Sequence, residues 1–230
     1  MTILLFGATG MIGHGTLNAA LADDRVTRVV SVARRSTGRQ HAKLVEVLHA
    51  DMTDLSPIID QLANVDACLF CLGVSSAGMN EADYRRITYD LTHSVATTLV
   101  GLNPEMTFVY VSGAGSNARS RQMWARVKGE IENALMALPF GGVYNARPGF
   151  IQPVGGARSK TALYRTLYAV MGPVASLIRR VAPNALIDSD ELGAALVEAG
   201  LAGAPEQILE VSALRLLAER AAPHRAGAMG

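Results

Sequence analysis

Short runs of β-branched and aliphatic residues alternate along the chain with longer segments whose apolar positions recur at helical spacing. The pattern predicts strands over residues 2–6, 26–33, 44–49, 65–72, 106–112, 142–147 and 207–211. It predicts helices over 12–22, 55–62, 81–102, 120–138, 160–181 and 190–201. The runs Ile3-Leu4-Leu5-Phe6 and 67–72 are apolar throughout. Strands of that kind need cover on both faces, as a parallel sheet flanked by helices provides. The fold class is therefore α/β, a doubly wound parallel sheet. Right-handed crossovers would put any ligand across the carboxyl ends of its strands.

Composition narrows this further. The chain has 230 residues, half of them hydrophobic, which is near the upper size of one core. One domain over 1–220 is expected, with 221–230 a flexible tail where Pro, Gly and Ala follow a final helical pattern. Lys plus Arg number 21 and Asp plus Glu 20, a net charge of +1, so no overall field favours nucleic acid. The best apolar stretch, 166–178, contains Gly172 and Pro173 and is too short to span a bilayer. Met1 leads straight into a strand-like run with no basic leader, so a cytoplasmic protein is expected. Cys68 and Cys71 lie three apart in one strand, hence on opposite faces, and read as buried apolar residues. The histidines His14, His41, His49, His93 and His224 show no ligand spacing, and no metal is expected. No G-x-S-x-G elbow follows a strand, which disfavours a serine hydrolase.

The informative motif follows the first strand at once: Gly7-Ala8-Thr9-Gly10-Met11-Ile12-Gly13, then a helical pattern. Gly7 would permit a tight turn, Gly10 would let backbone approach a pyrophosphate, and Gly13 would let the helix pack closely on the sheet. Phosphate would sit at the helix N-terminus. A tight turn without a ligand is the competing reading. The second strand ends Val32-Ala33-Arg34-Arg35. It lacks the carboxylate that would bind an NAD ribose, and it offers two guanidinium groups to a 2′-phosphate, so NADP fits better than NAD. A solvated basic turn is the alternative. Asp51 and Met52 close the third strand; the Asp51 carboxylate would accept from an adenine amino group or cap the following helix, a role open to Asp54 as well.

These glycines, the strand end Leu72-Gly73, the strand Phe108-Val109-Tyr110-Val111-Ser112, the helix carrying Lys128 and the segment Arg147-Pro148-Gly149 together resemble the short-chain dehydrogenase/reductase superfamily. The likeness is to its atypical, epimerase-like branch of small single-domain proteins, and it runs over nearly the whole chain. It implies a Rossmann-type fold binding a nicotinamide cofactor, with contacts from Gly7, Thr9, Gly10, Met11, Ile12, Gly13, Leu72, Gly73, Pro148 and Gly149. It also implies a serine that orients a carbonyl or hydroxyl and a Tyr-x-x-x-Lys helix. There the Tyr moves a proton, while the Lys holds the ribose and lowers the Tyr pKa. Here Ser112 fills the serine position, with Ser116 as a weaker substitute and a backbone-bonding turn as its other reading. The helix reads Trp124-Ala125-Arg126-Val127-Lys128. Indole donates one hydrogen bond but does not titrate near neutrality, so Trp124 cannot be the general acid. Tyr84, Tyr89, Tyr110, Tyr144, Tyr164 and Tyr168 have no evident place at the site.

Residues 151–187 would form a small helical cap over the substrate side. Arg158, Lys160, Arg165, Arg179 and Arg180 occur there with no acid, which suits an anionic substrate, an anionic membrane surface or simple solvation. Two functions follow. One is an NADP-binding reductase or epimerase-like enzyme acting on a small carbonyl or hydroxyl compound through Ser112 and Lys128. The other is a non-catalytic NADP-binding redox sensor. The helices over 81–102 and 120–138 would serve a homodimer, as in many superfamily members.

Overall fold

The computed structural model describes residues 1–152 and 186–225. Seven strands form one parallel sheet: β1 (Thr2–Phe6), β2 (Arg28–Ala33), β3 (Leu44–Leu48), β4 (Ala67–Phe70), β5 (Thr107–Val111), β6 (Gly142–Ala146) and β9 (Ile208–Leu209). Their order is β3-β2-β1-β4-β5-β6-β9. The chain builds outward from β1 in one direction, then returns past β1 and builds in the other, leaving a crevice at the carboxyl ends of β1 and β4. The predicted α/β doubly wound architecture is the observed one, and each strand lies within its predicted bounds. A separate parallel pair, β7 (Phe150–Gln152) and β8 (Leu186–Asp188), flanks the undescribed segment.

Side chains alternate between two cores. Ile3, Leu5, Leu69 and Val109 pack with α1 (Met11–Ala22), α5 (Ser189–Ala202) and α6 (Val211–Arg225) on one face. Leu4, Phe6, Cys68, Phe70 and Phe108 pack on the other with a 3₁₀ turn (Ser56–Leu62), α3 (Leu91–Leu102) and α4 (Met123–Met136). Phe6, Phe70, Phe108 and Phe140 form a row across that second face, with centroids 5.2–5.9 Å apart. Cys68 belongs to the second core and Cys71 packs against the first, as the strand period requires. Burial pushes the Cys71 thiol up to about 12, so it carries no thiolate at neutral pH.

Several helix boundaries differ from the pattern. Residues 81–102 contain α2 (Glu81–Arg85), a π-helical turn (Arg86–Asp90) and then α3. The segment 55–62 is a 3₁₀ turn. Helix α4 starts at Met123 because the Ser120 hydroxyl oxygen first closes a turn with the Gln122 N–H at 3.1 Å. At the C-terminal end α6 continues through Pro223 to Arg225, into the stretch expected to be tail. The predicted helix 160–181, the five cap cations, Tyr164, Tyr168 and residues 226–230 lie outside the described residues.

Buried carboxylates tie elements together. Glu198 receives Arg25 at 2.7 Å and Arg220 at 3.4 Å, and Arg25 also holds Asp23 at 2.7 Å, joining the end of α1 to α5 and α6. Glu132 of α4 takes two bonds from Arg147, from Nε at 3.0 Å and Nη2 at 2.5 Å, while Arg147 Nη1 reaches Glu210 at 3.2 Å. Removing one partner of such a pair strands a charge in the interior. Arg147→Leu is therefore expected to cost about 3 kcal/mol of stability, measured by urea unfolding. A loss below about 0.5 kcal/mol would show that water reaches Glu132.

Candidate functional site

A cavity of about 730 Å³ opens at the carboxyl ends of β1–β4. Its first wall is the glycine turn. Gly7 has φ +86°, and a Cβ on it would lie 2.8 Å from the Cys71 carbonyl carbon at the end of β4. A Cβ on Gly13 would lie 2.0 Å from the Gly7 carbonyl oxygen. Both positions therefore exclude any larger residue. Gly10, by contrast, is exposed, caps α1 in extended conformation and donates its N–H to Gly7 O at 2.8 Å. Met11 and Ile12 begin α1, half-buried. No acidic side chain sits in the first turn to offset the positive dipole end of α1.

The remaining walls come from the loops after β2, β3 and β4. Of the residues predicted from sequence, Gly7, Thr9, Arg34, Arg35, Asp51, Met52, Leu72 and Gly73 all border the cavity. Gly10, Met11, Ile12 and Gly13 stand behind them as turn and helix start. Arg34 and Arg35 are exposed and, among the described residues, have no ion-pair partner, whereas Arg25, Arg85, Arg126 and Arg147 are all paired. Asp51 Oδ1 accepts from Thr53 Oγ1 at 2.5 Å and Thr53 N at 2.9 Å, and these bonds hold its carboxyl below the usual range. Asp54, not Asp51, accepts from the Ser56 N–H at the 3₁₀ turn. The cavity also takes in His14, Ser36, Thr37, Thr53 and Val74, which sequence reasoning missed. The signal available was adjacency: His14 follows the last glycine, and Ser36-Thr37 follows the arginines.

A second group gathers at the end of β5 and does not border that cavity. Ser112 is buried; its N–H donates to Ala146 O at 2.7 Å, and its Oγ lies 3.0 Å from Ser116 Oγ. Ser116 donates its only hydroxyl proton to Gly113 O at 2.8 Å. Ser112 is then the donor to Ser116, and its own oxygen remains an acceptor. Ala114 N donates to Pro148 O at 3.2 Å, which brings the Pro148-Gly149 segment onto this loop. The Trp124 indole lies across the loop, 3.8 Å from where a Cβ on Gly113 or Gly115 would stand. Lys128, one turn on, donates to Val111 O at 3.4 Å and sits 5.5 Å from the Tyr110 ring centre. Burial pushes its ammonium down to about 8 against the pull of Glu132. Tyr84 and Tyr110 are core residues whose hydroxyls burial makes less acidic.

The NAD dependent epimerase/dehydratase family matches residues 3–122. "Protein fmp52, mitochondrial" of Emericella nidulans is 28% identical over 210 residues, 86% of this chain and 87% of the relative. A short-chain dehydrogenase/reductase from Saccharomyces cerevisiae superposes with a TM-score of 0.68 at 18% identity, over 95% of this chain and 98% of that one. MoeE5 in complex with UDP-glucose and NAD superposes with a TM-score of 0.66 at 14% identity, over 96% and 82%. Both structures share the fold. The mitochondrial name of the Emericella relative overturns the cytoplasmic expectation, which rested only on the residues after Met1.

Lys128 offers a direct check of the second group. Its side chain, followed by NMR, is expected to titrate near 8, and Glu132→Gln should lower the midpoint further. Between about 8 and the ordinary value of 10.5 the folded state then binds fewer protons than the unfolded one, so this group makes stability rise with pH in that window and not below it. A midpoint near 10.5 would mean that the ammonium is open to water.

Proposed function

The chain belongs to the NAD-dependent epimerase/dehydratase family, and from that membership we propose that it binds NADP and acts as a reductase or epimerase-like oxidoreductase on a small carbonyl or hydroxyl compound. The observation that carries the cofactor reading is the pair Arg34 and Arg35, exposed beside the cavity, without an ion-pair partner among the described residues, at a strand end that lacks a carboxylate. The remaining walls fit the same group. The Gly7–Gly13 turn and the α1 N-terminus suit a pyrophosphate, the two guanidinium groups a 2′-phosphate, and Asp51 and Met52 an adenine. Leu72, Gly73, Lys128, Pro148 and Gly149 would lie along the ribose and nicotinamide half.

When bound, the nicotinamide supplies or accepts a hydride. The chain's own residues then hold the substrate and manage its proton. Ser112 accepts from a substrate hydroxyl through the oxygen that Ser116 leaves available. Lys128 holds ribose hydroxyls and keeps a positive charge beside them below about pH 8. Trp124 orients through its N–H and transfers no proton. The excess of cations in the cap sequence favours an anionic substrate, and the naming of the relatives favours a mitochondrial setting. Trp124 also supports a second reading, an NADP-binding sensor without turnover.

Calorimetric titration is expected to show NADPH binding more tightly than NADH. The double variant Arg34→Ala/Arg35→Ala should weaken NADPH by tenfold or more, about 1.4 kcal/mol, and leave NADH within about twofold. Equal losses for both would reject the 2′-phosphate assignment. Trp124→Tyr is expected to create or raise carbonyl reduction against a panel of aldehydes, ketones and quinones by about 10²-fold. An inert variant that still binds NADPH would favour the sensor.

A further inference from the structure

The loop carrying Arg34 and Arg35 is held from behind by one side chain. Glu46, on the edge strand β3, accepts Ser36 Oγ at 2.5 Å, Thr37 N at 2.7 Å and Thr37 Oγ1 at 2.7 Å. Ser36 Oγ in turn accepts the Gly38 N–H at 2.9 Å, where the chain turns with φ +73°. Thr37 Oγ1 accepts the Arg39 N–H at 3.2 Å, and the Arg39 guanidinium reaches Asn18 on α1, one turn beyond His14. The residues directly after the two arginines are thus folded onto a single carboxylate and pinned to α1. Burial opposes its ionisation, yet the bonds from Ser36 and Thr37 hold the Glu46 carboxyl below its usual range.

Two consequences follow from the direction of these bonds. Ser36 and Thr37 border the cavity, but each has given its hydroxyl proton to Glu46, so neither can donate to a phosphate there. Among the side chains at 34–37, recognition of a 2′-phosphate then falls to Arg34 and Arg35. Exposed arginines lose much rotamer freedom when they converge on one anion, and a fixed backbone beneath them limits that loss. Among the described residues the hydrogen-bond partners of Glu46 are all in this loop, and Glu46 itself does not border the cavity.

We infer that Glu46 is the positioning residue for cofactor choice: by clamping Ser36 and Thr37 it sets Arg34 and Arg35 to converge on the 2′-phosphate of NADP. This rests on the NADP reading above. The test is titration of the full chain and its variants with NADPH and NADH, with far-UV circular dichroism to establish folding. Glu46→Ala is expected to lower the NADPH-over-NADH preference about tenfold, through NADPH. Glu46→Gln should fall between, because its amide oxygen still accepts from Thr37 while its amide NH₂ cannot accept the Ser36 hydroxyl. Ser36→Ala/Thr37→Val should reproduce the Glu46→Ala loss, and decides the matter should Glu46→Ala not fold. An unchanged preference in these variants, where Arg34→Ala/Arg35→Ala does lower it, overturns the role of Glu46 and leaves the NADP reading standing. Tighter NADPH binding by Glu46→Ala overturns it too, since the carboxylate would then act by repulsion. No NADPH preference in the unmutated chain removes the NADP reading, and this inference with it.

Discussion

No side-chain carbon fits between Gly13 and the carbonyl of Gly7, and the rest of the site depends on that contact. It sets how closely α1 approaches the β1 turn, while the Gly7 turn itself presses on the end of β4. With α1 seated there, it starts directly after the β1 turn, where the strand order reverses. The cavity is thus a product of backbone packing. Its side chains decorate a shape that Gly7 and Gly13 already define.

The site divides into two halves of different character. The half along β1 to β4 borders the cavity, with Arg34 and Arg35 exposed and, among the described residues, without an ion-pair partner. The half at β5 and α4 is closed on itself: Ser112 bonds to Ser116, Lys128 is drawn to a backbone carbonyl, and Trp124 lies over the glycine loop. The Arg147–Glu132 pair holds α4 to the end of β6 just below Lys128. The first half has the form of a binding site. The second is a set of mutual contacts among Ser112, Ser116, Lys128 and Trp124.

The strands were legible because a parallel sheet buried on both faces leaves continuous apolar runs, and Ile3-Leu4-Leu5-Phe6 reads as little else. The glycine turn was legible because its spacing reflects contacts within one βα unit. Helix ends were less so: the start of α4 depends on a Ser120 turn, and the run of α6 to Arg225 crosses a proline that reads as a stop. What sequence could not show was long-range pairing. Glu46 and Ser36 are ten residues apart on different segments, and Arg147 and Glu132 belong to different elements. The mitochondrial naming of the relatives likewise came from comparison and not from any motif read in the chain.

Trp124 is the chain's single tryptophan, and its ring rests on the glycine loop beside Ser112. Every photon of indole fluorescence this protein emits therefore originates at the edge of the candidate site. A change in loop packing, or a ring stacked nearby, would alter that emission with no background from elsewhere. A single indole at this position makes the protein its own optical probe.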